Sequence, residues 1–149
     1  MRDKRFVAAH RGGLLTKKQH QQLIHWAHDC TQHVLNKLII IPDPRLTLAL
    51  AVVLAWEKDE VTLSETGQAS LEAFDLADSS ADPILVAIAR AAGHLAAAPQ
   101  MADHALKAVS YALKAVNASG ETVESEKKWQ DDHIPLGIIE LVHSSRLKF

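Results

Sequence analysis

The chain has a single cysteine, Cys30, in 149 residues. A lone cysteine excludes an intrachain disulfide and fits a reducing compartment. No apolar run of signal-peptide length follows the basic start Met1-Arg2-Asp3-Lys4-Arg5. The most apolar stretch, Leu46–Trp56, is about half of the roughly 20 residues that a membrane span needs. These absences predict a cytoplasmic protein without a membrane segment. An excess of one charge is missing too. Sixteen Lys and Arg against 18 Asp and Glu leave a net charge of −2, and the isoelectric point is about 6.5. A general nucleic-acid binder would be basic on at least one face, and a nucleic-acid mimic would be far more acidic, so no nucleic-acid partner is expected. There is no glycine-rich phosphate loop, no His-Glu-x-x-His, no cysteine pair and no Gly-x-Ser-x-Gly, which removes several common enzyme signatures. No segment alternates apolar and polar residues between hairpin turns, so no sheet is expected.

What remains is ample for a core. Hydrophobic residues make up 48% of the chain, and a chain of this size buries about two-thirds of its unfolded surface. It needs neither a disulfide nor a structural metal to fold. Nine histidines will move the net charge toward positive below about pH 6.5.

Helix signals recur along the chain. Residues 1–15 read as an irregular arm ending at Gly12-Gly13. Thr16-Lys-Lys-Gln19 is a capping-box pattern, and the helix behind it runs to about Asn36 with Leu23, Ala27, Thr31, Val34 and Leu38 on one face. Asp43-Pro44 starts a second helix, to about Lys58, with Asp43 as cap and Pro44 at the first helical position. That helix is apolar nearly all round and is expected to be the central, most buried one. Thr62-Leu-Ser-Glu65 opens a third helix, to about Ala77. Asp82-Pro83 repeats the Asp43-Pro44 start and opens a fourth, to about Ala98. Pro99 breaks it and begins a fifth, from Gln100 to about Asn117, where Gly120 is a natural stop. A sixth helix lies near 122–132, and an amphipathic piece follows Pro135. The expected fold is all-α: one compact domain over residues 1–149, of about six helices stacked as antiparallel hairpins, bundle-like, with residues 119–149 forming a more polar C-terminal helical segment.

Several polar constellations can carry chemistry. In the first helix His25, Asp29 and His33 are each four residues apart and share a stripe, and two histidines with a carboxylate can ligate a divalent metal. The bland alternative is a solvated polar face opposite the core. Cys30, at the edge of the apolar face, is expected to be a small core residue; as a nucleophile it would need a depressed pKa and a paired base. Arg90, His94, His104 and Tyr111, with Asp103 and Lys114, stand among Ala, Leu and Val in the fourth and fifth helices. If these helices form a hairpin around Pro99, His94 and His104 lie level. They then form either a polar network that sets helix register or a small-ligand or metal site. Trp26, Trp56 and Trp129 read as core or hairpin-junction anchors.

The run Ala89-Arg-Ala-Ala-Gly-His94, with Met101-Ala-Asp-His104-Ala and Tyr111-Ala-Leu-Lys114-Ala, resembles the immunity-five-like group of bacterial "putative immunity protein" domains. Trp26-Ala-x-x-Cys30, Val34-Leu35, Asp43-Pro44-Arg45 before Ala51-x-x-x-Ala55-Trp56, and Glu126-x-x-Trp129-Gln130 extend the resemblance from about Leu23 to Gln130. It implies a small helical domain from a toxin neighbourhood that binds and neutralises a toxin. The pattern often has a further His near Gln100. A metal site built on those histidines would therefore lack a ligand here, and no cofactor is expected. The leading expectation is a non-enzymatic protein that binds a protein partner, a toxin being the implied one, through the His-rich stripe or the C-terminal segment. The alternative is a metal- or small-ligand-binding protein, or an enzyme, centred on Arg90, His94 and His104. A homodimer through the second helix is a third.

Overall fold

The helix starts obey their local chemistry. In the computed structural model, which describes residues 3–146, α1 (Lys17–Lys37) begins at a complete capping box, with Thr16 accepting from the Gln19 amide and Gln19 reaching back to the Thr16 amide. α2 (Pro44–Glu57) and α4 (Pro83–Ala97) start alike: Asp43 and Asp82 accept from the amides of Arg45 and Ile84, with proline at the first helical position. α3 (Leu63–Ser79) is capped by Thr62. Each cap satisfies one of the amide donors that a helix start leaves without a partner. α5 (His104–Ala118), α6 (Glu124–Asp132) and α7 (Ile139–Arg146) complete the chain, with short 3-10 turns at Lys4–Phe6, Ala9–Arg11 and Leu136–Ile138. Gly120, at φ 88, takes the left-handed conformation just beyond α5.

The architecture is all-α: seven helices with antiparallel packing and no strand among the described residues, where the only extended pairing is an isolated bridge between Ala8 and Leu15. None of the helices there is long and apolar enough to cross a membrane.

Two expectations are corrected. The central helix is α4, not α2. α4 packs against α5 and α3 most extensively, and against α2 and α1 as well. Its Ala87, Ala89, Ala91, Ala92, Gly93 and Ala96 are buried, because small side chains let neighbouring backbones approach from several directions. α2 is apolar all round but lies at the side, with Ala51 and Leu48 exposed, the latter at 44%. The fifth helix starts at His104 rather than Gln100. The backbone needs Ala98–Asp103 to reverse direction, and the amides of Gln100 and Met101 turn back onto Ala97 O instead of starting a new helix.

Buried polar bonds lock the smaller elements. Trp26, fully buried, donates from Nε1 to Gln130 O at 2.9 Å, and the buried Gln130 amide donates to Val109 O. α6 is thereby tied to α1 and α5. Trp56 and Trp129 are half-buried against the core.

A histidine-centred basic face on the α4–α5 hairpin

The reversal at Pro99 brings α5 back along α4 and sets two histidines ring to ring. His94 Nδ1 lies 2.8 Å from His104 Nδ1, and the rings are stacked at 5.1 Å. The His94 ring also stacks with Tyr111 at 5.3 Å and meets the Phe74 ring of α3 in a T-shaped contact at 5.0 Å. Phe74 reaches that position because Gly93 has no side chain: a Cβ there would stand 2.8 Å from the Phe74 ring. Two facing Nδ1 atoms bond only if one carries the proton and the other accepts. The pair therefore holds at most one extra proton. His94 is pushed down to about 4, first by burial and then by the positive charges of His104, Lys107 and Arg90 around it, with Asp103 opposing.

Around this stack the surface is cationic. Arg90, Lys107 and Lys114 are exposed. Arg90 and Lys107 act electrostatically on His94, and neither has an ion-pair partner among the described residues. The Lys114 ammonium lies 4.2 Å over the Tyr111 ring, a cation–π contact. Lys107 was not singled out in the sequence. Its signal was available, since it falls three residues beyond His104 on the same helical face.

The His25, Asp29, His33 stripe separates into two pairings. His25 donates from Nδ1 to Glu57 Oε1 at 2.9 Å and stands 3.6 Å from Asp29; Asp29 also accepts from His28. His33 turns the other way and donates from Nδ1 to Glu126 Oε2 at 2.6 Å, stacked on Trp129, which stacks in turn on His133. Among the described residues no three His, Cys, Asp or Glu are grouped as a metal ion would require. Glu126 stood in the sequence only as part of Glu126-x-x-Trp129-Gln130, and its role as the partner of His33 was not legible because α6 is polar apart from Trp129. Its carboxylate is nevertheless fully buried, with Oε1 lacking a hydrogen-bond partner and 3.6 Å from the Lys37 ammonium. Cys30 is fully buried, and burial pushes its thiol well above the usual range. It packs as a core residue.

The arrangement can hold a proton, bind an anion and present charge. The chain matches the family described as "Imm-5 like putative immunity protein" over residues 13–136. The chain belongs to that family. The matched stretch contains both hairpin histidines and all three surrounding cations of the α4–α5 face. No curated protein and no solved structure matches the chain significantly.

Proposed function

We propose that this chain acts by binding a protein, a toxin, and neutralises it by covering its working surface with the α4–α5 face. Family membership supports a toxin as the partner. The observation that carries the choice of face is the cluster of Arg90, Lys107 and Lys114 around the His94–His104–Tyr111 stack on the two most extensively packed helices. Arg90 and Lys107, without an ion-pair partner among the described residues, can meet carboxylates of a partner, and a packed pair of helices loses little conformational freedom on binding. The expected partner surface is acidic and buries about 800 Å² on each side. The test is co-purification of the tagged chain from its native lysate, followed by growth assays of the partner identified. A stoichiometric partner that arrests growth alone, and not when co-expressed with this chain, supports the reading. Arg90→Glu with Lys107→Glu should weaken binding by about a hundredfold, two lost charge contacts at about 1.4 kcal/mol each. Unrelieved growth arrest overturns neutralisation, and undiminished binding by the double variant overturns the face.

The 2.8 Å contact of His94 with His104 supports a second reading, a small-ligand or divalent-metal site at that pair. A rise in Tm with Zn²⁺ that His94→Gln abolishes would favour it. An unchanged Tm would remove it.

A further inference from the structure

Where the N-terminal arm crosses the ends of α1, α2 and α3 and the α4–α5 turn, the structure leaves a half-open cavity of about 510 Å³. That is within the size of small-molecule sites, roughly 300–1,000 Å³. Its apolar surface comes from Phe6, Leu15, Trp56, Leu63 and Pro99, and its cationic side from His10, Arg11 and Lys17. Asp59 is the one carboxylate of the lining, and it stands 3.8 Å from Lys17.

Three observations give this cavity the character of an anion site. Arg11 is exposed, and among the described residues its guanidinium makes one hydrogen bond, from Nη1 to Gln100 O at 3.2 Å. Its guanidinium has five N–H donors, so most remain for a ligand. His20 is buried in the wall, its ring 4.9 Å from that of Trp56, and Nε2 donates to Ala98 O at 2.9 Å. Its pKa is lowered first by burial and, after the opposing bond to Ala98, by the charges of His10 and Arg11, which line the same side of the cavity. The wall is also a fixed one. Ala9 N donates to Leu15 O and Leu15 N to Val7 O, while Phe6 and Leu15 anchor in the core. Gly13 closes the loop where a Cβ would stand 2.0 Å from Val7 O. Residues 6–11 precede the stretch shared with the family, 13–136, and the cavity lies outside the α4–α5 face.

We propose that this cavity binds a small amphipathic anion, with a flat apolar body against Trp56 and an anionic group at Arg11 and His10. The proposal does not depend on a toxin partner. The probe is 1-anilinonaphthalene-8-sulfonate, an aromatic anion that fluoresces when removed from water, titrated into the full chain near neutral pH. Its uncharged counterpart is N-phenyl-1-naphthylamine. One saturable site is expected for the anion, about tenfold or more tighter than for the neutral dye, one charge contact's worth of affinity. Arg11→Glu should weaken the anion by at least about tenfold. Ala9→Trp, at an exposed wall position, should fill the cavity and abolish binding. Arg90→Glu with Lys107→Glu should leave it unchanged. Both cavity variants must keep the circular dichroism and Tm of the wild type, which their exposed positions favour. Absence of a saturable site, or binding indifferent to Arg11→Glu and Ala9→Trp, would overturn the proposal; equal affinity for the two dyes would overturn the anionic part of it.

Discussion

His94 shows how one side chain can link the fold to pH. Its pKa in the folded protein is about 4, whereas an unfolded histidine titrates near about 6.5. Between those values the unfolded chain binds more protons, so stability rises with pH across the window. The contribution is complete above about pH 6.5 and is lost as pH falls toward 4. His20, lowered chiefly by burial, acts in the same direction. Discounted for the partial exposure of His94, its share is about 1–2 kcal/mol. Thermal melts near pH 7 and pH 4.5 should show the loss, and His94→Gln should reduce the difference between them. Equal losses in both proteins would contradict the assignment. Glu126 makes a second residue-scale case. Its fully buried carboxylate holds His33 and faces Lys37. Glu126→Ala leaves these groups without their anion and should cost about 3 kcal/mol in urea unfolding. Glu126→Gln keeps the shape and one acceptor and should cost about 1 kcal/mol.

Among the helices, α4 decides most of the geometry. Gly93 sits where the Phe74 ring leaves no room for a Cβ, and its carbonyl accepts from Ser70 at 2.8 Å. Gly93→Ala gains about 0.5–1 kcal/mol of helix propensity. It must also displace a ring wedged against His94, an overpacking cost of about 1–3 kcal/mol. The net expectation is a loss of about 1 kcal/mol by chemical denaturation, with movement of the His94 and His104 ring resonances. A gain in stability would show that Phe74 yields freely. The helix starts were legible because they are short-range chemistry: Thr16, Asp43, Thr62 and Asp82 each need only the next two or three residues to act as caps. The start of α5 was misread because Pro99 is compatible with a first helical position, and only the path back along α4 makes residues 98–103 a turn.

Over the whole molecule, net charge and local charge part company. A net charge of −2 gives no hint of a basic face, yet Arg90, Lys107 and Lys114 converge on one hairpin while most other cations that have charged partners sit beside carboxylates, such as Arg146 with Asp131 and Lys128 with Asp132. Association with an acidic partner through this face should slow as salt rises, because exposed charges more than about 8–10 Å apart are screened near physiological ionic strength. Stopped-flow rates at low and high salt test this, and the Arg90→Glu, Lys107→Glu protein should lose the dependence. Salt-independent association would place the interface elsewhere.

By itself the sequence determined the all-α class and five of the seven helices, α1 to α4 and α6, to within about two residues, because caps, prolines and 3.6-residue periodicity act over a turn or two. It also marked His94, His104 and Tyr111 as unusual, since polar groups among alanines stand out. It did not separate His33 from His25: their spacing is that of one helical stripe, and only the arrival of α6 turns His33 toward Glu126. It ranked α2 above α4, the wrong way round, since burial depends on how many neighbours surround a helix and composition alone does not count them. The cavity beside Trp56 is the extreme case. Its walls come from residues near 10, 20, 60 and 100, which share no local pattern, and only tertiary packing brings them to one place.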